Sequence, residues 1–182
     1  MAFDERKATE AAAFLLRLRG EKMSYLKLVK LLYLADREAL SRWGSSVTND
    51  SYFSMPHGPV VSNTYNLMID EDEKPFWSKY ITPPLGQYEL DLTGEVCPTD
   101  TLSRAEEKLL TEIFERYGRM SRWQLRDYTH RLREWHDPAG SHLPISIREI
   151  LEAQNVSPED IAAITREIEA DEKTERVLGS AA

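Results

Sequence analysis

One cysteine, Cys97, is all that the 182 residues contain. An internal disulfide and a metal site built from cysteine alone are therefore excluded, and the chain fits a reducing, intracellular setting. Long apolar runs are missing too: none approaches the roughly 18 residues that would cross a membrane. The opening MAFDERKATE is charged and lacks the apolar core of a secretion signal, so a cytoplasmic protein is expected. Positive charge is in deficit, with 31 acidic against 23 basic residues and a net charge of −8. Phosphate affinity is supplied mainly by clustered Lys and Arg, so this balance opposes a dedicated nucleic-acid binder unless a basic face overrides the average. There is no internal repeat and no low-complexity linker. The chain is 41% apolar and 30% charged, which is ordinary for a globular protein long enough for one domain with a real core.

What is present is a set of legible helix starts. Ser24 opens SYLKLVKLLYLADREAL, with Met23 and Leu28 placed as a hydrophobic staple. Ser103 precedes RAEEKLLTEIFERY, with Glu106 in capping-box position and Gly118 as a stop. Ser121 pairs with Gln124, and Ser146 with Glu149, in the same way. Ser157 is followed by Pro158 at the first helical position and by Asp160. The helix from Ser24 to Trp43 is apolar almost all round, which marks it as central. Lys27, Lys30, Arg37 and Ser41 form its polar stripe.

Gln87 to Val96 alternates instead: Tyr88, Leu90 and Leu92 on one side, Glu89 and Asp91 on the other. That is strand periodicity, after a TPPLG stretch that forbids helix. Thr93-Gly94 offers a turn and EVCP a short return strand. The expected fold is mainly α: a single compact helical domain with a small antiparallel β element near residues 87–97.

The stretch MPHGPVVSNTYN, residues 55–66, is under tight backbone control. Pro59 suits the first turn of a helix, which makes Gly58 its expected N-cap and puts His57 just before the N-terminus. There the helix dipole favours neutral imidazole, so His57 reads either as a structural residue or as a base. His130, Glu134 and His136 lie within seven residues, with His142 following, and could be weighed as zinc ligands. The spacing matches no common metal motif, and Trp135 reads as a core anchor, so core packing and capping are expected instead.

Arg116 to Arg133 holds six arginines and one acid, Asp127. Arg122, Arg126 and Arg133 are expected on one helix side, with Trp123 and Tyr128 interleaved. Arginine with aromatics suits a protein interface and can also hold phosphates. Glu159 to Arg176 reverses the sign, with seven acids and three bases, and its Ile161, Ile164 and Ile168 stripe could dock on the domain or on a partner.

From about Ser24 to Ala153 the chain resembles the SocA-like, DUF4065 or Panacea antitoxin family. KLLYLAD and HGPVVSNTY carry the resemblance most specifically, with Lys30, Leu31, Tyr33, Gly58, Pro59, Val60 and Tyr65 at signature positions. The resemblance implies a largely helical fold with a small β element. It implies a protein that neutralises a toxin encoded beside it by direct contact, and in some members one that hands the toxin to a cellular protease. It brings no catalytic residues, no cofactor and no metal. Many members add an N-terminal helix-turn-helix; the roughly 20 residues before Ser24 leave no room for it, so direct DNA binding is not expected.

The expected organisation is a Panacea-like helical domain over residues 1–153 and an acidic C-terminal helix with a frayed tail over 154–182. The expected function is that of a non-enzymatic antitoxin, with Lys30, Tyr33, His57, Gly58, Pro59, Tyr65, Arg122 and Arg126 as candidate partner-binding residues. Two other readings stay open at this level. One is a hydrolase or nuclease-like enzyme using His57 with His130 or His136. The other is an RNA- or phosphate-binding module using the Arg122 and Arg126 face. The small apolar end, Ala181-Ala182, would suit recognition by a protease of the unfoldase class.

Overall fold

The computed structural model describes residues 3–70, 74–82 and 88–179. Helix α1 (Glu5–Arg19) starts at Asp4, whose carboxylate accepts from the Arg6 N–H at 2.8 Å, and stops at Gly20 in the left-handed region. This helix is an addition to the elements legible in the pattern. Strand β1 (Lys22–Ser24) leads into α2 (Tyr25–Trp43). Leu28, Val29, Leu31, Leu32, Tyr33 and Ala35 of α2 have no exposed surface, so this helix is the axis of the core. Each such leucine contributes about 1.5–3 kcal/mol by burial. Helices α1 and α5 (Arg104–Tyr117) pack against α2, as do strand β3 (Gly58–Val61) and helix α6 (Arg122–Thr129).

The serine starts form as expected. Ser103, Ser121 and Ser146 each complete a capping box, opening α5, α6 and α7 (Ile147–Ala153). At α8 (Pro158–Gly179), the Ser157 hydroxyl accepts from the Asp160 N–H at 3.1 Å. Ser24 differs: it precedes α2, but its hydroxyl makes no capping bond and has no hydrogen-bond partner among the described residues. In α8, Ile161 is buried and Ile164 rests against Gly44, so that stripe docks on the body of the protein. Ala181 and Ala182 lie outside the described residues.

The expected strand near residues 87–97 exists as β4 (Glu89–Asp91), but its partner is β1 and not a return strand from EVCP. Met23 faces Leu90 in this antiparallel pair, and both are buried. Lys22 reaches Glu89 at 3.3 Å and Asp91 at 3.6 Å across it. Gln87 and the PPLG segment lie outside the described residues.

A second sheet, with no counterpart in the expectation, reshapes the MPHGPVV segment. Strands β2 (Tyr52–Met55) and β3 (Gly58–Val61) form an antiparallel hairpin, and β5 (Leu143–Ile145) pairs with the other side of β2. Pro56 and His57 make the turn, and Gly58 follows at φ +95°. A glycine in the left-handed position after such a turn matches the twist of the two strands. Gly58 is therefore not a helix N-cap and Pro59 not a first-turn residue. Pro59 lies in an edge strand, where its missing N–H leaves no ladder bond unmade. Helix α3 (Ser62–Ile69) begins only after the strand. Its first turn is satisfied by Asp50, which accepts from the Asn63 N–H at 2.8 Å, the Thr64 N–H at 2.8 Å and the Thr64 hydroxyl at 2.7 Å. A carboxylate at a helix N-terminus also meets the positive end of the dipole.

Three members of the polar stripe of α2 find partners on other segments, while the Ser41 hydroxyl donates to the Glu38 carbonyl within the helix at 3.1 Å. Lys27 Nζ donates to the Gly118 carbonyl at 2.5 Å, and Lys30 Nζ to the Pro59 carbonyl at 2.6 Å. Arg37 Nε donates to Glu134 at 2.5 Å. These bonds fasten α2 to the α5–α6 junction, to the hairpin and to the segment after α6.

Candidate interaction surface

The hairpin turn lies over a crowded polar floor. A Cβ on Gly58 would stand 2.7 Å from Thr129 Oγ1, 3.0 Å from Lys30 Nζ and 3.1 Å from His130 Cδ2. Lys30 is fully buried and has no carboxylate partner, and burial holds its pKa well below the usual lysine range. His130 stacks flat on Trp135, with ring centres 4.1 Å apart, and its Nε2 is buried without a partner. Burial lowers the His130 pKa, and Lys30 and Arg126 lower it further, so this ring is neutral at pH 7. Trp135 in turn donates its indole N–H to the Met55 carbonyl at 3.2 Å, closing the floor against β2.

Above this floor the surface is aromatic and cationic. Trp123, in the first turn of α6, is 46% exposed, and the guanidinium groups of Arg122 and Arg126 lie 4.9 and 5.0 Å from its ring centre. His57 approaches the same ring edge-on at 6.3 Å. Next to it Tyr25 stands between Tyr65, at 6.2 Å, and Tyr88, at 5.9 Å. Burial raises the Tyr25 pKa, Tyr88 adds to the rise and the positive charge of Arg122 opposes it. The capping box of Ser121 and Gln124 fixes where α6 starts, and so where this tryptophan projects.

Five candidate residues thus come together at the surface or just beneath it: His57, Gly58, Tyr65, Arg122 and Arg126. Pro59 and Lys30 support the turn from below through their shared bond. Tyr33 is elsewhere: it is buried, and its phenol donates to Glu134 at 3.1 Å, inside the ion pair of Glu134 with Arg37. Arg133 does not join the arginine face. It follows the end of α6 and donates to Asn155 at 3.0 Å. Arg126 is partly neutralised by Asp127 at 2.6 Å. Tyr25 and Tyr88 are the residues that pattern did not single out, because their proximity depends on the β1–β4 pairing.

The histidines do not form one constellation. α6 ends at Thr129, so His130 and Glu134 are not one helical turn apart, and Glu134 is committed to Arg37 and Tyr33. The His136 N–H donates to Ser54, and His142 packs edge-on against Phe53. Among the described residues no group of three or more His, Cys, Asp or Glu side chains could hold a metal ion. No helix among them is long and apolar enough to cross a membrane.

Searches of curated proteins and of solved structures returned no match. A family model described as antitoxin SocA-like, Panacea domain, matches residues 28–136, more than half of the chain. The match begins in α2 and ends just past Trp135, so it takes in Lys30, the hairpin, α3 and the Trp123 helix. By that match, the chain belongs to the SocA-like antitoxin family and carries its Panacea domain.

Proposed function

We propose that this chain neutralises a cognate toxin protein, encoded nearby, by binding it directly in the cytoplasm, without catalysis or cofactor. The observation that carries the reading is Trp123: an exposed indole with two guanidinium groups packed over its ring at a capped helix start. Tryptophan, tyrosine and arginine are the side chains most enriched where interfaces concentrate their binding energy. The buried floor under Gly58 keeps the turn in one conformation, so little order has to be imposed on association. Family membership supports a toxin as the partner.

Co-expression with each neighbouring gene tests this. One neighbour is expected to be toxic alone, tolerated with this protein and recovered in a complex with it. Trp123→Ala should weaken both rescue and complex. A neighbourhood with no toxic product and no co-purifying protein sinks the reading. Delivery of the captive toxin to a protease is the finer form of the same function. It predicts a shorter toxin half-life when this protein is present, whereas simple blocking leaves that half-life unchanged or longer.

A further inference from the structure

A cleft of about 880 Å³ opens beside the tyrosine cluster, between β1, the start of α2 and the α5–α6 junction. Its cationic lining is Arg19, Lys22, Lys27, Arg119 and Arg122, against a single carboxylate, Glu89. Lys22 is engaged by that carboxylate and by Asp91. Among the described residues Arg19, Lys27, Arg119 and Arg122 form no ion pair at all. Such an excess is unusual in a chain whose net charge is −8. Lys27 is only 7% exposed and its ammonium meets a carbonyl, not an acid. Burial lowers its pKa, and the nearby Arg19 lowers it further. Like charges converging from three elements repel, and an anion between them would turn that repulsion into attraction. The wall also contains Ser24, whose buried hydroxyl has no hydrogen-bond partner.

We propose that this cleft binds a polyphosphate anion, of the class of inorganic triphosphate or the phosphate tail of a nucleoside triphosphate. One carboxylate cannot balance four cations that have no acidic partner among the described residues, whereas a triphosphate carries comparable charge in a compact chain. Guanidinium forks match phosphate oxygens in pairs. The volume lies within the range of small-molecule sites, roughly 300–1,000 Å³. Phe114 and Met120 add an apolar patch on which a base could rest. This site shares only Arg122 with the face around Trp123, so it stands or falls without the toxin.

Calorimetric titration of the full chain with inorganic triphosphate, ATP and sulfate tests the proposal. Saturable binding of triphosphate is expected, much tighter than that of sulfate and weakening as salt rises. Arg119→Ala and Arg19→Ala, both of exposed side chains, should each weaken it by about tenfold or more at unchanged melting temperature. Lys108→Ala, on the exposed part of α5, should leave it unchanged. ATP binding tighter than triphosphate, with the excess lost in Phe114→Ala, identifies a nucleotide. Equal affinities identify the phosphate chain alone. Absence of saturable binding, equal binding of sulfate, or indifference to both arginine substitutions overturns the proposal. So does a cleft that takes a poly-glutamate peptide and no triphosphate.

Discussion

The ammonium of Lys30 lies 2.6 Å from the carbonyl oxygen of Pro59, inside the protein and with no carboxylate to neutralise it. The bond holds the edge strand of the hairpin onto α2, at the expense of burying an amine. A lysine with a depressed pKa binds its proton less tightly when folded. Its penalty is therefore full below the folded pKa, shrinks as pH rises above it, and is gone only at the ordinary lysine pKa of the unfolded chain. Lys30→Met keeps the volume and removes the charge, though it leaves the Pro59 carbonyl unpaired. The stability of the variant relative to the parent should improve as pH is lowered from the ordinary lysine range towards the folded pKa, and level off below it. Denaturant midpoints that track each other at every pH would show that Lys30 holds its proton in the fold as firmly as in the unfolded chain, and that burial does not depress its pKa.

Gly58 is the other half of that contact. Its φ of +95° is unfavourable for a side chain, and an added Cβ would stand 2.7 Å from Thr129 Oγ1. Gly58→Ala should destabilise by about 2 kcal/mol or more, and Gly58→Val by more again. A thermal melt of either variant matching the parent would contradict the observed turn.

The exposed face should behave in the opposite way. Trp123→Ala removes surface that packs mainly on Arg122 and Arg126, so stability should change by less than about 1 kcal/mol. Partner affinity should fall by about 2 kcal/mol or more, as at an interface hot spot. His57→Ala should leave the fold intact and weaken binding only modestly. Reversing Arg122 and Arg126 to Glu should act mainly on the association rate and its salt dependence. Association kinetics unaffected by that reversal would remove the arginines from the interface.

These contrasts show what the sequence could and could not disclose. The serine caps were legible because a capping box is complete within four residues, as at Ser103 with Glu106. Asp4 and Gly20 bound α1 by the same kind of local signal, but that helix was not among the starts read from the pattern. The hairpin was not legible, since Pro59 beside Gly58 also satisfies the rules for a helix start. What decides against the helix is remote: Asp50 caps α3 from twelve or more residues away, and β5 arrives from residues 143–145. The arginine and tryptophan cluster was visible as composition, but its junction with Tyr25 and Tyr88 needs the β1–β4 register. The inward turn of Lys27 and Lys30 was hidden for a similar reason, because their acceptors are backbone carbonyls that pattern does not reveal.

The Arg37–Glu134 pair offers a test of how the segment after α6 is held. Glu134 has no exposed side-chain surface and also accepts from Tyr33, while Arg37 is partly open to solvent. Removing Glu134 leaves the Tyr33 phenol buried without its acceptor and Arg37 half-buried without its acid, so Glu134→Ala should destabilise by about 2–3 kcal/mol. The double variant with Arg37→Ala should lose clearly less than the sum of the single losses. Additive losses in urea denaturation would mean that the two side chains are not coupled.

Asp36 carries the last expectation. Its carboxylate is fully buried and accepts from the N–H groups of Val47 at 2.9 Å and Thr48 at 3.0 Å, the Thr48 hydroxyl at 2.5 Å and the Tyr52 phenol at 3.2 Å. Burial is the largest influence and pushes its pKa from 3.8 up to about 7, against the pull of the Thr48 and Tyr52 hydrogen bonds and with a further push from Asp50. The folded chain therefore keeps a proton that the unfolded chain has already released. The stability this group contributes is fully present below the unfolded pKa and is lost as pH rises through about 7. Asp36→Asn has no such proton to keep, and its amide also faces the donors that the carboxylate accepts. The variant should be less stable than the parent at about pH 5, with the gap narrowing towards about pH 8. Urea denaturation across that range reads the gap directly. A gap that stays constant would mean that the four donors keep Asp36 ionised throughout, and that burial loses to hydrogen bonding at this site.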